Sequence, residues 1–527
     1  MRIKKQWIEM ASVNNQLNVP EYTVSSSKYM RSMMKKTKNR KGVALLCAAL
    51  TIFSTHTLFS TRTIAESGHN LPTLGDASSL IITPEQEQAL GRAWLKSIRS
   101  QIPIIYDPIV NDYLENIIYQ LGASSKIEHR EFEILFINNA QINAFAAPGG
   151  IIGINAGLFI HAASEDELAA VLAHELAHLS QRHFARNLEK GKRSETASLA
   201  ALLASIALLI TAGGETGLAA LATTQALSMQ SSLAFSRQNE QEADRIGMQT
   251  LAEAHFNPNA MALFFEKMQK ISELSGQTPP EFLLTHPVTE SRVSDSKSRA
   301  NQYKNVRTYS SEPNIDFLLM KARMSASYNK ESNLNISRFK ASIENATSHD
   351  KTPQQYGLAW AFFKANKYDD ALTELAKIRA TFPEKLTFVT AEAEVLLAKE
   401  QFKQAEILLE KHLAFNPDSF ALDFYLIKAT TAQKKHLKAI ERLEKWTVKK
   451  PNHPLLWQLL ADARSQIGDK IGAYTARAEL YFLNNQIELA LEQLKFAHAT
   501  AKNSYEEQAK IELRAKEILA YKKNQLL

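Results

Sequence analysis

Cysteine is nearly absent from this sequence, with Cys47 the only one in 527 residues. Because Cys47 lies in a segment that we expect to be removed, the mature chain would have no disulfide to stabilise it. A length of 527 residues is too great for a single hydrophobic core. We therefore expect two or more domains.

Apolar runs long enough to cross a membrane are also absent, since a spanning helix needs about 20 such residues. The run at 42–53 is about twelve residues long and follows a basic cluster at 35–41, which is the pattern of an export signal peptide. We expect residues 1–65 to be a presequence that ends at Ala65, with an uncleaved membrane anchor as the alternative. The sequence leaves the start codon open among four methionines: Met1, Met30, Met33 and Met34.

A basic excess outside this presequence is absent too. Residues 1–41 contribute +8 and Arg62 contributes +1 to a formal net charge of +7, which leaves −2 for residues 66–527. The mature chain therefore lacks the basic surface that nucleic-acid binding requires. It also contains no glycine-rich phosphate loop, so nucleic acids and nucleotides are not the expected ligands.

The apolar periodicity of residues 83–251 predicts helices around a small sheet. We expect helices from Pro84, over 108–121, from Ser164 to about Arg186 and from Asn239, and strands over 132–137 and 151–155. Ser164 and Glu167 have the spacing of a capping box. Residues 197–212 are rich in Ala, Leu and Ile; a buried or lid-like helix is expected there, with contact to a membrane surface as the alternative.

The C-terminal third of the sequence repeats every 34 residues. Small and cyclic residues mark this step, at Ala371, Ala405, Ala439 and Ala473 and at Pro383, Pro417 and Pro451. A helix–turn–helix unit of 34 residues is typical of tetratricopeptide repeats, in which a small residue lets two helices approach closely. We predict an α-solenoid over 346–520.

A pair of histidines carries the chemistry. His174 and His178 are four residues apart, so both project from one face of the predicted helix. Such a pair can hold one Zn²⁺ at about 2.0–2.1 Å per nitrogen. Glu175 can take a proton from zinc-bound water and pass it to a leaving amine. The sequence thus predicts a zinc peptidase, and two histidines of an ordinary core helix are the alternative.

A catalytic zinc needs a third protein ligand. Glu240 and Asp244 are one turn apart and share a helix face, whereas Glu242 points elsewhere. We predict that Glu240 is the ligand and that Asp244 accepts the second N–H of a ligand histidine. A simple salt bridge of Asp244 with a neighbouring Arg or Lys is the alternative.

These two helices and the turn Asn143-Ala144-Phe145-Ala146-Ala147-Pro148-Gly149-Gly150 resemble the metallopeptidase family of the CAAX prenyl endopeptidases and the HtpX heat-shock protease. Together with the repeats, the resemblance covers about residues 80–520. It implies one Zn²⁺ bound by His174, His178 and Glu240. It also implies that Glu175 is the general acid and base.

The same resemblance implies further roles. His286 can take the water position on the zinc and hold the enzyme latent, and Arg292 is expected to be structural or to orient substrate. The stretch 143–155 matches an edge strand that aligns an extended substrate, with contacts at Asn143, Ala144 and Phe145. His183 is expected to be structural, because its offset from His178 turns it off the metal face.

The predicted fold class is α+β and mainly helical. A zincin-like metalloprotease domain is expected at 66–310, a linker region at 311–345 and the tetratricopeptide α-solenoid at 346–520. The resemblance implies a periplasmic endopeptidase, peripheral to the outer membrane, that degrades misfolded or stalled outer-membrane beta-barrel proteins and assists their assembly. Its implied partners are the beta-barrel assembly machinery and the lipopolysaccharide-assembly barrel protein. A periplasmic chaperone or scaffold with latent or minor proteolysis is the alternative, and a membrane-embedded protease is a third hypothesis.

Overall fold

The structure is a computed structural model that describes residues 82–190, 207, 236–274, 280–304, 313–328, 331–346 and 348–525. The expected presequence lies outside these residues, and so does the expected helix at 197–212 apart from Ala207. Across the described ranges, no helix is both long and apolar enough to cross a membrane.

Helices surround a small sheet in the first part of the described chain. The helices are α1 (Pro84–Ile98), α2 (Pro108–Ser124), α3 (Ala156–His161), α4 (Glu165–Ser180), α5 (His183–Lys190), α6 (Arg237–Glu253), α7 (Asn259–Leu274), α8 (Glu281–Thr285) and α9 (Glu290–Lys304). The strands are β1 (Glu133–Ile137), β2 (Ala144–Ala147) and β3 (Ile151–Asn155). The sheet order is β1-β3-β2, with β1 parallel and β2 antiparallel to β3.

Polar caps begin the first two helices. Thr83 accepts from the Gln86 N–H at 3.2 Å, and the Gln86 side chain accepts from the Thr83 N–H at 3.0 Å, which completes a capping box. Asp107 caps α2 by accepting from two N–H groups at 3.1 and 3.3 Å. A proline in the first turn of each helix has no N–H to satisfy there.

Within the stretch 143–155 only β2 is an edge strand, because β3 is the central strand of the sheet. Phe145 packs over Gly153, where a Cβ would lie 2.1 Å from the Phe145 ring. Asn143 accepts from the Asn155 N–H at 3.0 Å, which places its carbonyl on the β3 side. Since backbone groups alternate along a strand, those of Ala144 and Ala146 point away from β3.

Helix α4, which contains His174 and His178, ends six residues before the predicted Arg186. Arg182 adopts a left-handed conformation with φ 49°, and α5 begins at the next residue. Ser164 caps α4 as predicted, but the Glu167 carboxylate accepts from the Ala163 N–H at 2.8 Å, so the capping box is only half formed.

The second part of the described chain is a series of paired helices. They are α10 (Ile315–Tyr328), α11 (Ser332–Glu344), α12 (Ser348–Lys364), α13 (Tyr368–Thr381), α14 (Leu386–Ala398), α15 (Phe402–Leu413), α16 (Phe420–Ala432), α17 (His436–Lys449), α18 (Pro454–Gln466), α19 (Lys470–Leu483), α20 (Ile487–Thr500) and α21 (Tyr505–Gln525). The segment expected to be a linker, 311–345, instead contains α10 and α11, because buried residues such as Phe317 and Ile336 pack these helices onto α12.

The 34-residue period recurs in the backbone. A left-handed residue precedes α13, α15, α17 and α19, with φ between 58° and 79°: Asn366, Glu400, Lys434 and Gly468. The four repeated alanines, 371, 405, 439 and 473, are at most 3% exposed, so each lies where two helices meet. The prediction of a mainly helical α+β chain with tetratricopeptide-type repeats is confirmed.

Candidate metal centre

Four buried side chains converge on one point. The Nε2 atoms of His174 and His178 are 3.0 Å apart, and His174 Nε2 is 3.3 Å from His286 Nδ1. The Glu240 carboxylate lies 3.4 to 3.5 Å from the two Nε2 atoms and 3.1 Å from His286 Nδ1. All four ligand atoms lie within 4.8 Å of one another.

This spacing fits a tetrahedral ion. Ligands at about 2.0–2.1 Å from a tetrahedral Zn²⁺ are separated by about 3.4 Å, close to the distances between these donors. Three imidazoles and one carboxylate are a donor set that Zn²⁺ accepts. The burial of these donors also favours a bound cation. Buried nitrogen and oxygen lone pairs that face one another are costly unless a metal ion or a proton lies between them. The residues present therefore fit a bound zinc.

Packing between helices produces this convergence. His174 and His178 lie one turn apart on α4, and α6 packs against that helix. Gly247 makes the approach possible, because a Cβ there would lie 3.1 Å from the Ala173 backbone. The close approach places Glu240 beside the histidines. His286 follows α8 directly, so the end of this short helix delivers the fourth donor.

Asp244 lies behind the first histidine. Its Oδ1 is 3.0 Å from His174 Nδ1, and Arg292 binds both of its oxygens at 2.7 Å. Burial alone would raise the pKa of Asp244, but the Arg292 charge and the contact with His174 outweigh burial and lower it. Both expected partners, a histidine and an arginine, thus contact Asp244. Arg292 also lies 2.9 Å from Glu240, so one guanidinium contacts both carboxylates of α6.

His183 contacts His178 on the side away from the other donors. The sequence did not reveal this contact. The His183 Nδ1 is 2.8 Å from His178 Nδ1, and its Nε2 is 3.4 Å from Glu242, which Arg186 binds at 2.9 Å. Burial lowers the pKa of His183 to about 4, although Glu242 acts in the opposite sense. As expected from its offset, His183 contributes no atom to the group of four ligands. Glu242 is likewise directed away from that group.

Glu175 lies between these four side chains and the sheet edge. Its Oε2 accepts from the Ala146 N–H at 2.9 Å, and its Oε1 is 3.4 Å from His286 Nε2. Burial raises the pKa of Glu175, although the nearby histidines act in the opposite direction. A carboxyl group whose pKa is raised toward neutrality is suited to accept and return a proton.

The predicted substrate edge lies beside this carboxylate. Ala144 begins β2 and Asn143 precedes it, while the Phe145 side chain belongs to the core. The Glu281 carboxylate accepts long hydrogen bonds of 3.3 to 3.5 Å from the amides of three asparagines: Asn139, Asn143 and Asn155. Glu281 therefore connects the segment around β2 to the helix that precedes His286. The sequence revealed neither Glu281 nor the contact of Ala146 with Glu175, because neither residue has a characteristic spacing from the histidines.

Comparisons with known proteins agree with this geometry. Residues 108–300 match the model of peptidase family M48. The chain is 34% identical to the beta-barrel assembly-enhancing protease of Yersinia pestis, over 84% of this chain and 90% of that protein. It is 33% identical to the protein of the same description from Escherichia coli (strain K12), over 90% and 95%. A match to the mitochondrial metalloendopeptidase OMA1 of Saccharomyces cerevisiae, at 32% identity, covers 34% of this chain and 55% of that protein.

Proposed function

The chain belongs to peptidase family M48, in the group of beta-barrel assembly-enhancing proteases, and is a zinc metallopeptidase; on that premise we propose a specific role for it. It is a periplasmic endopeptidase that cleaves misfolded or stalled outer-membrane beta-barrel proteins and assists the assembly of others. The observation that carries this proposal is the convergence of His174, His178 and Glu240 beside Glu175 at a sheet edge. The relatives' description supports beta-barrel proteins as its clients.

Each residue has a defined task in this proposal. His174, His178 and Glu240 are the ligands, and Asp244 fixes the ring of His174 through its Nδ1–H. A zinc ion held by these residues would supply Lewis acidity, to polarise the scissile carbonyl and to activate a water molecule. Glu175 accepts the proton of that water and donates it to the leaving amine, because its carboxylate borders the ligand cluster.

The outer edge of β2 aligns the substrate. The backbone groups of Ala144 and Ala146 face away from β3, so an extended chain can add to this edge by main-chain hydrogen bonds. Such pairing reads little of the side-chain sequence, which suits a protease for unfolded clients. The Ala146 N–H donates to the Glu175 carboxylate at 2.9 Å, so a substrate strand paired along this edge would lie next to Glu175.

A second candidate function follows from His286. With this residue the cluster has four protein donors, which fill a tetrahedral site and leave no position for water. A chaperone or scaffold with latent proteolysis would have this arrangement. Movement of His286 away from the other ligands would convert the latent form into a peptidase.

Zinc content and cleavage, measured together, test the ligands. His174→Ala and Glu240→Ala should lose zinc, whereas Glu175→Gln should keep it and lose at least about 100-fold in cleavage of an unfolded beta-barrel protein. Glu253→Gln on the exposed face of α6 is the matched control and should change neither quantity. Full zinc content in Glu240→Ala would place the third ligand elsewhere.

Rescue in cells separates the two functions. In a strain that lacks the wild-type protein, Glu175→Gln should fail to clear stalled barrel proteins. If Glu175→Gln restores barrel assembly completely and the wild-type protein cleaves no client, the scaffold function is correct. His286→Ala should increase cleavage, because it opens the fourth position.

A further inference from the structure

We propose that His183 is a positioning residue for the metal centre, which holds the His178 ring in its ligating orientation through an Nδ1–H···Nδ1 hydrogen bond. Glu242 and Arg186 in turn hold His183. This inference rests on the proposed role of His178 as a ligand. It adds an outer chain of contacts to that role, and no pattern in the sequence pointed to it.

The contacts form a continuous path from the ligand cluster to the surface. His178 and His183 are both fully buried, with Nδ1 atoms 2.8 Å apart. His183 Nε2 is 3.4 Å from the Glu242 carboxylate, which is about a quarter exposed, and Arg186 closes the path with a 2.9 Å bond to the same oxygen. The path therefore begins at a ligand and ends at a partly hydrated ion pair.

Proton positions along this path follow from chemistry. His178 Nε2 faces the other ligands, so its lone pair is needed there and its proton lies on Nδ1. That Nδ1–H can donate to His183 Nδ1 only if the latter carries a lone pair. The His183 proton then lies on Nε2, which faces the Glu242 carboxylate. One assignment of protons thus satisfies both contacts, and the contacts fix the tautomer of His178 that binds a metal.

The break after α4 makes this contact possible. In a continuous helix, His183 would lie about 140° around the axis from His178, because each residue turns about 100°. The left-handed Arg182, with φ 49°, redirects the chain and starts α5 at His183. The Arg182 side chain fixes this turn by donating to the Ile82 carbonyl at 2.7 Å and to Glu87 at 3.1 Å.

The two ligand histidines are therefore supported differently. Asp244, an ionised carboxylate paired with Arg292, supports His174 directly. His178 reaches its carboxylate, Glu242, through one intervening imidazole. Loss of such outer contacts usually costs about 10- to 100-fold in metal affinity or activity.

Zinc affinity of the purified protein tests the inference. Competition with a chromophoric chelator gives the zinc dissociation constant for the wild type, His183→Leu and His183→Asn. His183→Leu removes the acceptor and should weaken zinc binding about 10-fold or more. His183→Asn should stay within about threefold of the wild type, because its Oδ1 lies near the position of Nδ1 and accepts the same N–H.

Matched controls separate positioning from general destabilisation. His412, also buried, lies in the repeats on α15, and His412→Leu should leave zinc affinity unchanged. The melting temperature of the zinc-free protein should fall to a similar extent in the two Leu variants, whereas the increase on adding zinc should shrink in His183→Leu alone.

Three results of these measurements would overturn the proposed role of His183. Wild-type zinc affinity in His183→Leu, together with zinc loss in His178→Ala, would overturn the inference and leave the proposed ligands intact. Wild-type affinity in His178→Ala would overturn the ligand set and the inference with it. Equal weakening in His183→Leu and His183→Asn would also overturn the inference, because the acceptor atom would then be irrelevant.

Discussion

The guanidinium of Arg323 and the carboxylate of Glu394 form a buried ion pair, with Nη2 and Oε2 separated by 2.8 Å. Arg323 lies on α10 and Glu394 on α14, and the same guanidinium binds Asp107, the cap of α2, at 2.5 Å. Its flat face lies 3.6 Å from the Trp360 ring centre. One side chain therefore neutralises a carboxylate from the protease part and another from the repeats.

Arg323→Met should destabilise the protein by about 3–5 kcal/mol, because it deprives two buried carboxylates of this guanidinium. Urea unfolding at pH 7 would measure the change, followed by signals from both parts of the chain. Arg299→Met, at a pair about 40% exposed, is the control and should cost less than about 0.5 kcal/mol. An equally small effect of Arg323→Met would show that the contact between the protease part and the repeats does not depend on this ion pair.

Asp244→Asn should weaken zinc binding about 10- to 100-fold. Asparagine can still accept the His174 Nδ1–H, but the negative charge that stabilises the ligand is lost, and Arg292 keeps only Glu240 as a carboxylate partner. Chelator competition measures the affinity. Asp295→Asn, at a partly exposed position of α9, serves as the charge-matched control. Unchanged zinc affinity in Asp244→Asn would mean that Asp244 serves only as the ion-pair partner of Arg292 and does not support His174.

The local parts of this fold were predictable from sequence. His174 and His178 share a face because helical periodicity alone fixes neighbours four residues apart. The 34-residue spacing of the alanines predicts the repeats from local information as well, because each repeat contacts only its neighbours in sequence. Glu240 and Asp244 needed one further assumption, that their helix packs against the first, which Gly247 permits.

The contacts that depend on a break or a strand register were not predictable. His183 reaches His178 because Arg182 interrupts the helix, and nothing in the apolar pattern marks that interruption. Ala146 meets Glu175 because of the register of β2, which a four-residue strand does not reveal. The polar composition of 311–345 predicts a linker, because its charged and polar residues obscure the apolar face of α10.

Glu281→Gln should increase peptidase activity several-fold by loosening His286. The Glu281 carboxylate accepts from three asparagine amides, and a glutamine oxygen would hold them less strongly because it lacks the charge. His286, at the end of the same short helix, would then leave the fourth ligand position more often. Initial rates of cleavage of an unfolded polypeptide measure the effect.

A double-mutant cycle shows whether this effect passes through His286. In a His286→Ala background, Glu281→Gln should add no further activity, because the fourth position is already open. Glu290→Gln, at the start of the next helix, provides a control for charge. The same increase from Glu281→Gln in both backgrounds would mean that Glu281 acts on the substrate edge instead.

The carboxyl group of Asp112, on α2, should make stability depend on pH. Burial raises its pKa to about 7 from an ordinary value of 3.8, although the Lys450 charge favours ionisation. The folded state then holds this proton more tightly than the unfolded state. The contribution of Asp112 to the free energy of unfolding is therefore greatest below about pH 4. It falls as the pH rises from 4 to 7 and stays at its lowest above pH 7.

Asp112→Asn should remove this cost, because asparagine has the shape of the protonated acid and does not ionise. The variant should unfold at a higher urea concentration than the wild type at pH 8, and this advantage should shrink steadily as pH falls toward 4. Asp370→Asn, an exposed substitution with the same change in charge, should give a small difference that varies little with pH. A constant difference between Asp112→Asn and wild type from pH 5 to 9 would mean that Asp112 is already ionised in the folded protein, with the Lys450 charge offsetting both the burial and the repulsion from Glu115.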